Sequence, residues 1–137
     1  MSVEGGLVDA ILKLKRKCRF EEEIASRLSL TPMEMSCLLA LRPGDRLECR
    51  ELSGQMGLSA SRGSRIIQRL ITRGLLEREA RPEDRRCLLI SLSLEGERFR
   101  RGIEQARREC ERKLLERLDA GQLEKVNEGL DILLARL

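Results

Sequence analysis

The sequence predicts a mostly α-helical chain with one small β-hairpin, and three observations lead there. Helix start and stop signals recur along most of the 137 residues. Apolar residues return every three or four positions in both terminal thirds, the period of a half-buried helix. Only between Gly74 and Ser93 does the alternation shorten to that of a strand. Composition narrows the function. The chain has two Phe and no Tyr, Trp or His. Without imidazole there is no Ser–His or Cys–His catalytic pair, no His-ligated metal and no histidine pH switch. So few aromatic rings argue against base stacking on single strands as the main binding mode. No paired catalytic constellation is visible, so the expectation is no enzyme and no cofactor.

The elements follow in order. Leu7, Val8, Ile11, Leu12 and Leu14 open an amphipathic helix. The basic run Lys13 to Arg19, followed by Glu21 to Glu23, reads as a solvated helix surface with Lys17–Glu21 and Arg19–Glu23 pairs. Thr31-Pro32-Met33-Glu34 combines an N-cap, a first-turn Pro and a capping-box Glu, with Leu30 and Met35 spaced as a hydrophobic staple. That helix should reach about Leu41 and stop at Arg42-Pro43-Gly44-Asp45. A short, weakly capped helix over Arg50–Met56 ends at Gly57, and Ser59 caps a third over Ala60–Arg73, closed by Gly74. Strand-like runs Leu75–Ala80 and Cys87–Ser93 flank the polar loop Arg81–Arg86. Ser93 then caps a long helix striped by Phe99, Ile103, Ala106, Cys110, Leu114 and Leu118, and Asp119-Ala120-Gly121-Gln122 starts a last one.

Arg62, Arg65, Arg69 and Arg73 of the third helix fall within an arc of about 80° at 100° per residue. Ile66, Ile67, Leu70 and Ile71 take the other side, and Ser59, Ser61, Ser64 and Gln68 add short polar groups. Such a helix suits the DNA major groove, where Arg reads guanine or grips phosphate. From Ser59 to Arg86 there are eight Arg against four acids, a local excess equal to the chain's whole net charge of +4. Arg81, Arg85 and Arg86 cluster at the hairpin tip, where a narrow minor groove attracts arginine. Asp84 beside them can hold an Arg by an ion pair or simply shape the turn. Helix, turn, helix and basic hairpin together make a winged helix-turn-helix.

At this point the chain resembles the MarR (multiple antibiotic resistance regulator) family of winged-helix transcription factors. The resemblance rests on Leu30-Thr31-Pro32, Glu51-Leu52-Ser53, Gly57-Leu58-Ser59-Ala60-Ser61, Gly74-Leu75-Leu76-Glu77-Arg78, Pro82-Glu83-Asp84-Arg85-Arg86 and Leu92-Ser93-x-x-Gly96. It implies a winged helix-turn-helix flanked by N- and C-terminal dimerisation helices, as one domain over residues 1–137. Residues 31–93 would form the DNA-binding region, and 1–30 with 94–137 the helical dimerisation region. It also implies a homodimeric repressor on pseudo-palindromic double-stranded DNA, with Ser61, Arg62, Ser64 and Arg65 facing the major groove. Arg86 would enter the minor groove, oriented by Asp84. Two residues depart from the family pattern. Gly63 stands where a β-branched residue is usual, which should loosen the helix by about 1 kcal/mol relative to Ala, and Ser53 replaces a small apolar residue.

A dimer is also expected from the residues themselves, because the terminal segments carry more Leu, Ile and Val than a small DNA-binding module can cover. Similar proteins respond to small organic ligands, metals or oxidants, so release by a small-molecule or oxidant signal is expected here. The five scattered cysteines make no C-x-x-C pair and read mostly as small buried hydrophobes. Cys18, between Lys17 and Arg19, is the candidate redox thiol, although the Tyr hydroxyls of the family's peroxide sensors are absent. No stretch has the length of a membrane span and no signal-peptide pattern opens the chain, so a cytoplasmic protein without a membrane partner is expected. The competing reading is a winged-helix protein-interaction module whose Arg face only solubilises it.

Overall fold

The computed structural model describes residues 5–137. Residues 1–4 of the expected N-terminal helical region lie outside the described residues. The elements run α1 (Leu7–Lys17), α2 (Phe20–Arg27), α3 (Pro32–Ala40), β1 (Leu47–Glu48), α4 (Cys49–Gln55), α5 (Ala60–Thr72), β2 (Leu76–Ala80), β3 (Leu88–Leu92), α6 (Leu94–Leu115) and α7 (Ala120–Arg136). The chain divides into two compact units, residues 1–104 and 105–137, with the boundary inside α6.

In the first unit the helix starts form as the cap chemistry dictates. Thr31 Oγ1 accepts from the Glu34 N–H while a Glu34 carboxylate oxygen accepts from the Thr31 N–H, a complete capping box. Ser59 Oγ accepts from the Arg62 N–H at the start of α5, whereas Glu48 gives α4 no side-chain cap. Helix ends are equally regular. Gly57 and Gly74 adopt φ +70° and +75°, and both follow the Schellman pattern, with Leu58 N–H donating to Ser53 O and Leu75 N–H to Leu70 O. The same pattern closes α2 with Ser29 in the left-handed position at φ +55°, and Leu30 N–H donates to Ala25 O.

The core collects Ile24, Leu38, Leu41, Leu52, Leu70, Leu75, Leu76, Ile90 and Ile103, all nearly inaccessible. Each buried methylene there contributes roughly 0.8 kcal/mol, so this cluster is the main source of the unit's stability. Ser93 joins the sheet to α6. Its Oγ donates to Gly74 O and accepts from the Gly96 N–H, while its N–H donates to Leu75 O. A Cβ at Gly96 would lie 1.9 Å from Leu75 O, so Ser-x-x-Gly is the sequence that lets α6 start this close to the strand.

Four expectations are corrected. The N-terminal segment is two helices, not one: α1 ends at Lys17, and Cys18 adopts ψ 83°, outside the helical range. Lys17–Glu21 therefore straddles a break, Arg19 is the N-cap of α2, and neither Lys17–Glu21 nor Arg19–Glu23 is an ion pair among the described residues; Glu21, Glu22 and Glu23 occupy the first turn of α2, where the helix dipole favours them. The hairpin gains a third strand, giving the antiparallel order β1-β3-β2 with Leu47 opposite Ile90 and Glu48 opposite Leu89. Most cysteines are not buried. Only Cys37 is, Cys18 is exposed, and Cys49, Cys87 and Cys110 are half-buried.

Gly63 supplies the fourth correction. It is buried, and a Cβ there would sit 1.9 Å from Ser53 Oγ and 2.4 Å from Ser53 Cβ. The two departures from the family pattern thus meet each other. Gly63 lets α5 approach α4 too closely for any side chain, and Ser53, itself buried, satisfies its hydroxyl on Cys49 O at 2.7 Å. The glycine therefore has a packing role at the α4–α5 crossing that its low helix propensity alone does not suggest.

In the second unit, Asp119 and Gln122 form a reciprocal capping box at the start of α7, as the spacing predicts. No residue of α7 is buried, and Val126, Leu130, Ile132 and Leu134 are among its exposed large apolar side chains. In the first unit α1 likewise buries none of its residues.

Candidate nucleic-acid interface

Helix α5 is built from two opposed faces. Gly63, Ile66, Ile67 and Leu70 are buried against the unit, and Ile71 is half-buried. Ser61, Arg62, Ser64, Arg65, Gln68 and Arg69 are exposed on the other side. Ser64, Arg65, Gln68 and Arg69 line a shallow open depression in that surface. Ser59 sits at the helix start, its Oγ 3.4 Å from that of Ser61.

The hairpin tip beyond α5 is closed by a tight set of bonds. Arg81 N–H donates to Cys87 O at 2.8 Å, Asp84 N–H to Arg81 O at 3.2 Å, and Cys87 N–H to Asp84 O at 3.0 Å. Arg85 and Arg86 project from it, exposed. Among the described residues Arg62, Arg65, Arg69, Arg78, Arg85 and Arg86 form no ion pair. The guanidinium groups of Arg62, Arg65 and Arg69 on α5 and of Arg85 and Arg86 at the tip, none of them in an ion pair, favour positive potential on those two segments. Their flat forks are suited to bidentate bonds with phosphate or a guanine edge.

Two sequence-derived roles change, and Asp84 takes the second of its two expected ones. It makes no ion pair among the described residues; its Oδ1 accepts from the Arg86 N–H at 3.0 Å, so it shapes the turn and fixes the Arg86 backbone. Arg81 is exposed but held by acidic partners, 2.8 Å from Glu48 on β1 and 3.4 Å from Glu83. Arg73, the last member of the arginine row, turns away from the others toward α3 and α6. Its guanidinium donates to Ser29 O at 2.8 Å, lies 3.6 Å from Glu34 and covers the Phe99 ring at 5.9 Å. Sequence spacing placed these two arginines correctly on the backbone, but their partners Glu48 and Glu34 lie 33 and 39 positions away. Arg46, which the sequence reading did not single out, pairs with Glu79 at 2.7 Å across β3, a second rung beside Glu48–Arg81.

The thiols differ in state. Burial pushes the Cys37 thiol up to about 12, and a side-chain hydrogen bond to Glu48 raises that of Cys87. Cys18 lies exposed in the break between α1 and α2. Among the described residues no group of His, Cys, Asp or Glu is placed to hold a metal, and no helix is long and apolar enough to cross a membrane.

Comparison with known proteins gives these features their context. The sequence profile of the MarR family matches residues 28–86, from the end of α2 to the tip of the wing. The chain is 33% identical over 109 residues to YsmB of Bacillus subtilis (strain 168), described as an uncharacterized HTH-type transcriptional regulator, covering 80% of this chain and 71% of that one. It is 32% identical over 87 residues to the transcriptional repressor MprA of Escherichia coli (strain K12), across 64% of this chain and 49% of the repressor. The fold matches the apo crystal structure of MarR from E. coli with a TM-score of 0.77 at 23% identity, covering 93% and 96% of the two chains. On sequence and fold together, this chain belongs to the MarR family, as a DNA-binding winged-helix transcription regulator and not an enzyme.

Proposed function

We propose that the chain is a homodimeric, sequence-specific repressor that places α5 of each subunit in the major groove of double-stranded DNA and its wing in the flanking minor groove. The observation that carries the reading is the two-faced α5, its apolar side sealed in the core and its serine and arginine side free. Ser61, Arg62, Ser64, Arg65 and Arg69 are the groove-facing set, with Ser59 at the helix N-terminus near the backbone phosphates. Arg85 and Arg86 extend from the wing, and Asp84 holds the turn that presents them. Arg81 serves the wing's base through Glu48 more than the DNA.

Dimerisation is supported by the exposed apolar residues of α1 and α7, two helices with no fully buried residue. Two recognition helices about 34 Å apart would read half-sites one turn apart, a pseudo-palindrome. The repressor role is supported by the relative MprA, a transcriptional repressor. Release by a small-molecule or oxidant signal belongs to the same reading. The exposed Cys18 is its candidate redox residue, and the cytoplasm is its expected location.

The test is selection of bound sequences from random duplex DNA at two ionic strengths. Enrichment of an inverted repeat at both supports the proposal. Binding that enriches no sequence overturns it and favours an electrostatic or protein-binding surface.

A further inference from the structure

The geometry points to Arg73 as a positioning residue that sets the recognition helix against α2, α3 and α6 without touching DNA itself. This rests on the assignment of α5 as the recognition helix. Arg73 is the C-cap of α5, and three elements converge on its guanidinium. It donates to the carbonyl of Ser29, the non-glycine residue held left-handed at the α2–α3 turn. It faces Glu34, whose side chain is only 8% exposed. It lies over Phe99 in the first turns of α6, within cation–π range.

Both polar contacts come from one guanidinium nitrogen, Nη1, while the planar group lies over the ring. One end of α5 is thereby pinned to the turn that precedes α3 and to the start of α6, while the groove-facing arginines on the same helix stay free. Glu34 is shared: Oε1 accepts the Thr31 N–H and Oε2 faces Arg73. A buried carboxylate left without its cation is costly, so the pair is stringent about geometry. A lost pin would leave a folded helix with altered aim, and specific recognition depends on aim far more than non-specific attraction does.

The experiment compares wild type, Arg73→Ala, Arg73→Lys and Glu34→Gln with the double variant Arg73→Ala/Glu34→Gln. Glu34→Gln keeps an oxygen for the Thr31 N–H and removes the charge facing Arg73, so it stays useful even if Arg73→Ala folds poorly. Each is titrated with the duplex recovered by selection and with a scrambled duplex of equal length, over a range of salt. The expected result is about a tenfold loss on the selected duplex for Arg73→Ala and for Glu34→Gln, the scale of one charged hydrogen bond. The double variant should be no worse than either single one, Arg73→Lys should fall between, and scrambled-duplex affinity and salt slope should not change. Equal losses on both duplexes with a flatter salt slope would make Arg73 a phosphate contact and overturn the inference. So would normal affinity in folded Glu34→Gln, or a loss confined to thermal stability. A wild-type protein that binds no duplex would instead bring down the interface reading on which the inference rests.

Discussion

Replacing Gly63 by Ala forces either Ser53 or the α4–α5 crossing to move, because the added methyl overlaps Ser53 Oγ and Cβ. Overpacking of this kind costs about 1–3 kcal/mol, which thermal unfolding would register. Ser53→Gly in the same chain removes both overlapping atoms and should recover most of the loss. If Gly63→Ala is as stable as wild type, the close crossing is wrong. On the exposed side, Arg65→Ala should cost about 1–3 kcal/mol per half-site on the selected duplex if the guanidinium reads a base. A loss equal on random DNA reassigns it to a phosphate. Arg86→Ala should weaken binding and relax preference for A·T-rich flanks, whereas a folded variant with normal binding removes the wing from the account. The thiols give a chemical check. Iodoacetamide at pH 8 should modify exposed Cys18 first and leave Cys37 untouched until unfolding, since burial and a pKa of about 12 keep it protonated. Organic hydroperoxide that oxidises Cys18 and lowers operator affinity would support redox release; unchanged affinity with Cys18 still alkylatable would end that idea.

At the scale of elements, what could be read from sequence was what local chemistry determines. Thr31-Pro32-x-Glu34, Ser59, Gly57, Gly74 and Asp119-x-x-Gln122 each mark a boundary through bonds within a few residues, and each boundary lies within two residues of its expected place. The break at Cys18–Arg19 carries no Pro or Gly, and a continuous charge pattern hides it. Strand β1 is two residues long, and it exists because β3 has a free edge. That is a tertiary fact with no local signature. Arg73 and Arg81 fail for the same reason: helical spacing tells where a side chain starts, not which distant carboxylate it finds. The candidate face on α5 was legible because amphipathicity is periodic. Its reduction from four arginines to three was not.

For the whole molecule, the exposed apolar helices demand an explanation. Leu7, Val8, Leu12 and Leu14 on α1, and Leu130, Ile132 and Leu134 on α7, are each more than two-fifths exposed, apolar surface of the kind the proposed dimer would cover. Sedimentation of the full chain should give twice its 15.7 kDa mass at micromolar concentration. Leu130→Glu should shift that equilibrium toward monomer. A monodisperse monomer of wild type would contradict the two-fold reading of the DNA site.

In the proposed function the free guanidinium groups of α5 and the wing tip together form a surface for duplex DNA. Its most direct test is the affinity of the purified chain for the selected duplex as a function of salt. Tight binding at low salt is expected, with a linear fall of log affinity against log salt whose slope is about −0.9 for each phosphate contacted and several phosphates per dimer. Failure to shift any duplex at low ionic strength, or an affinity indifferent to salt, would contradict it.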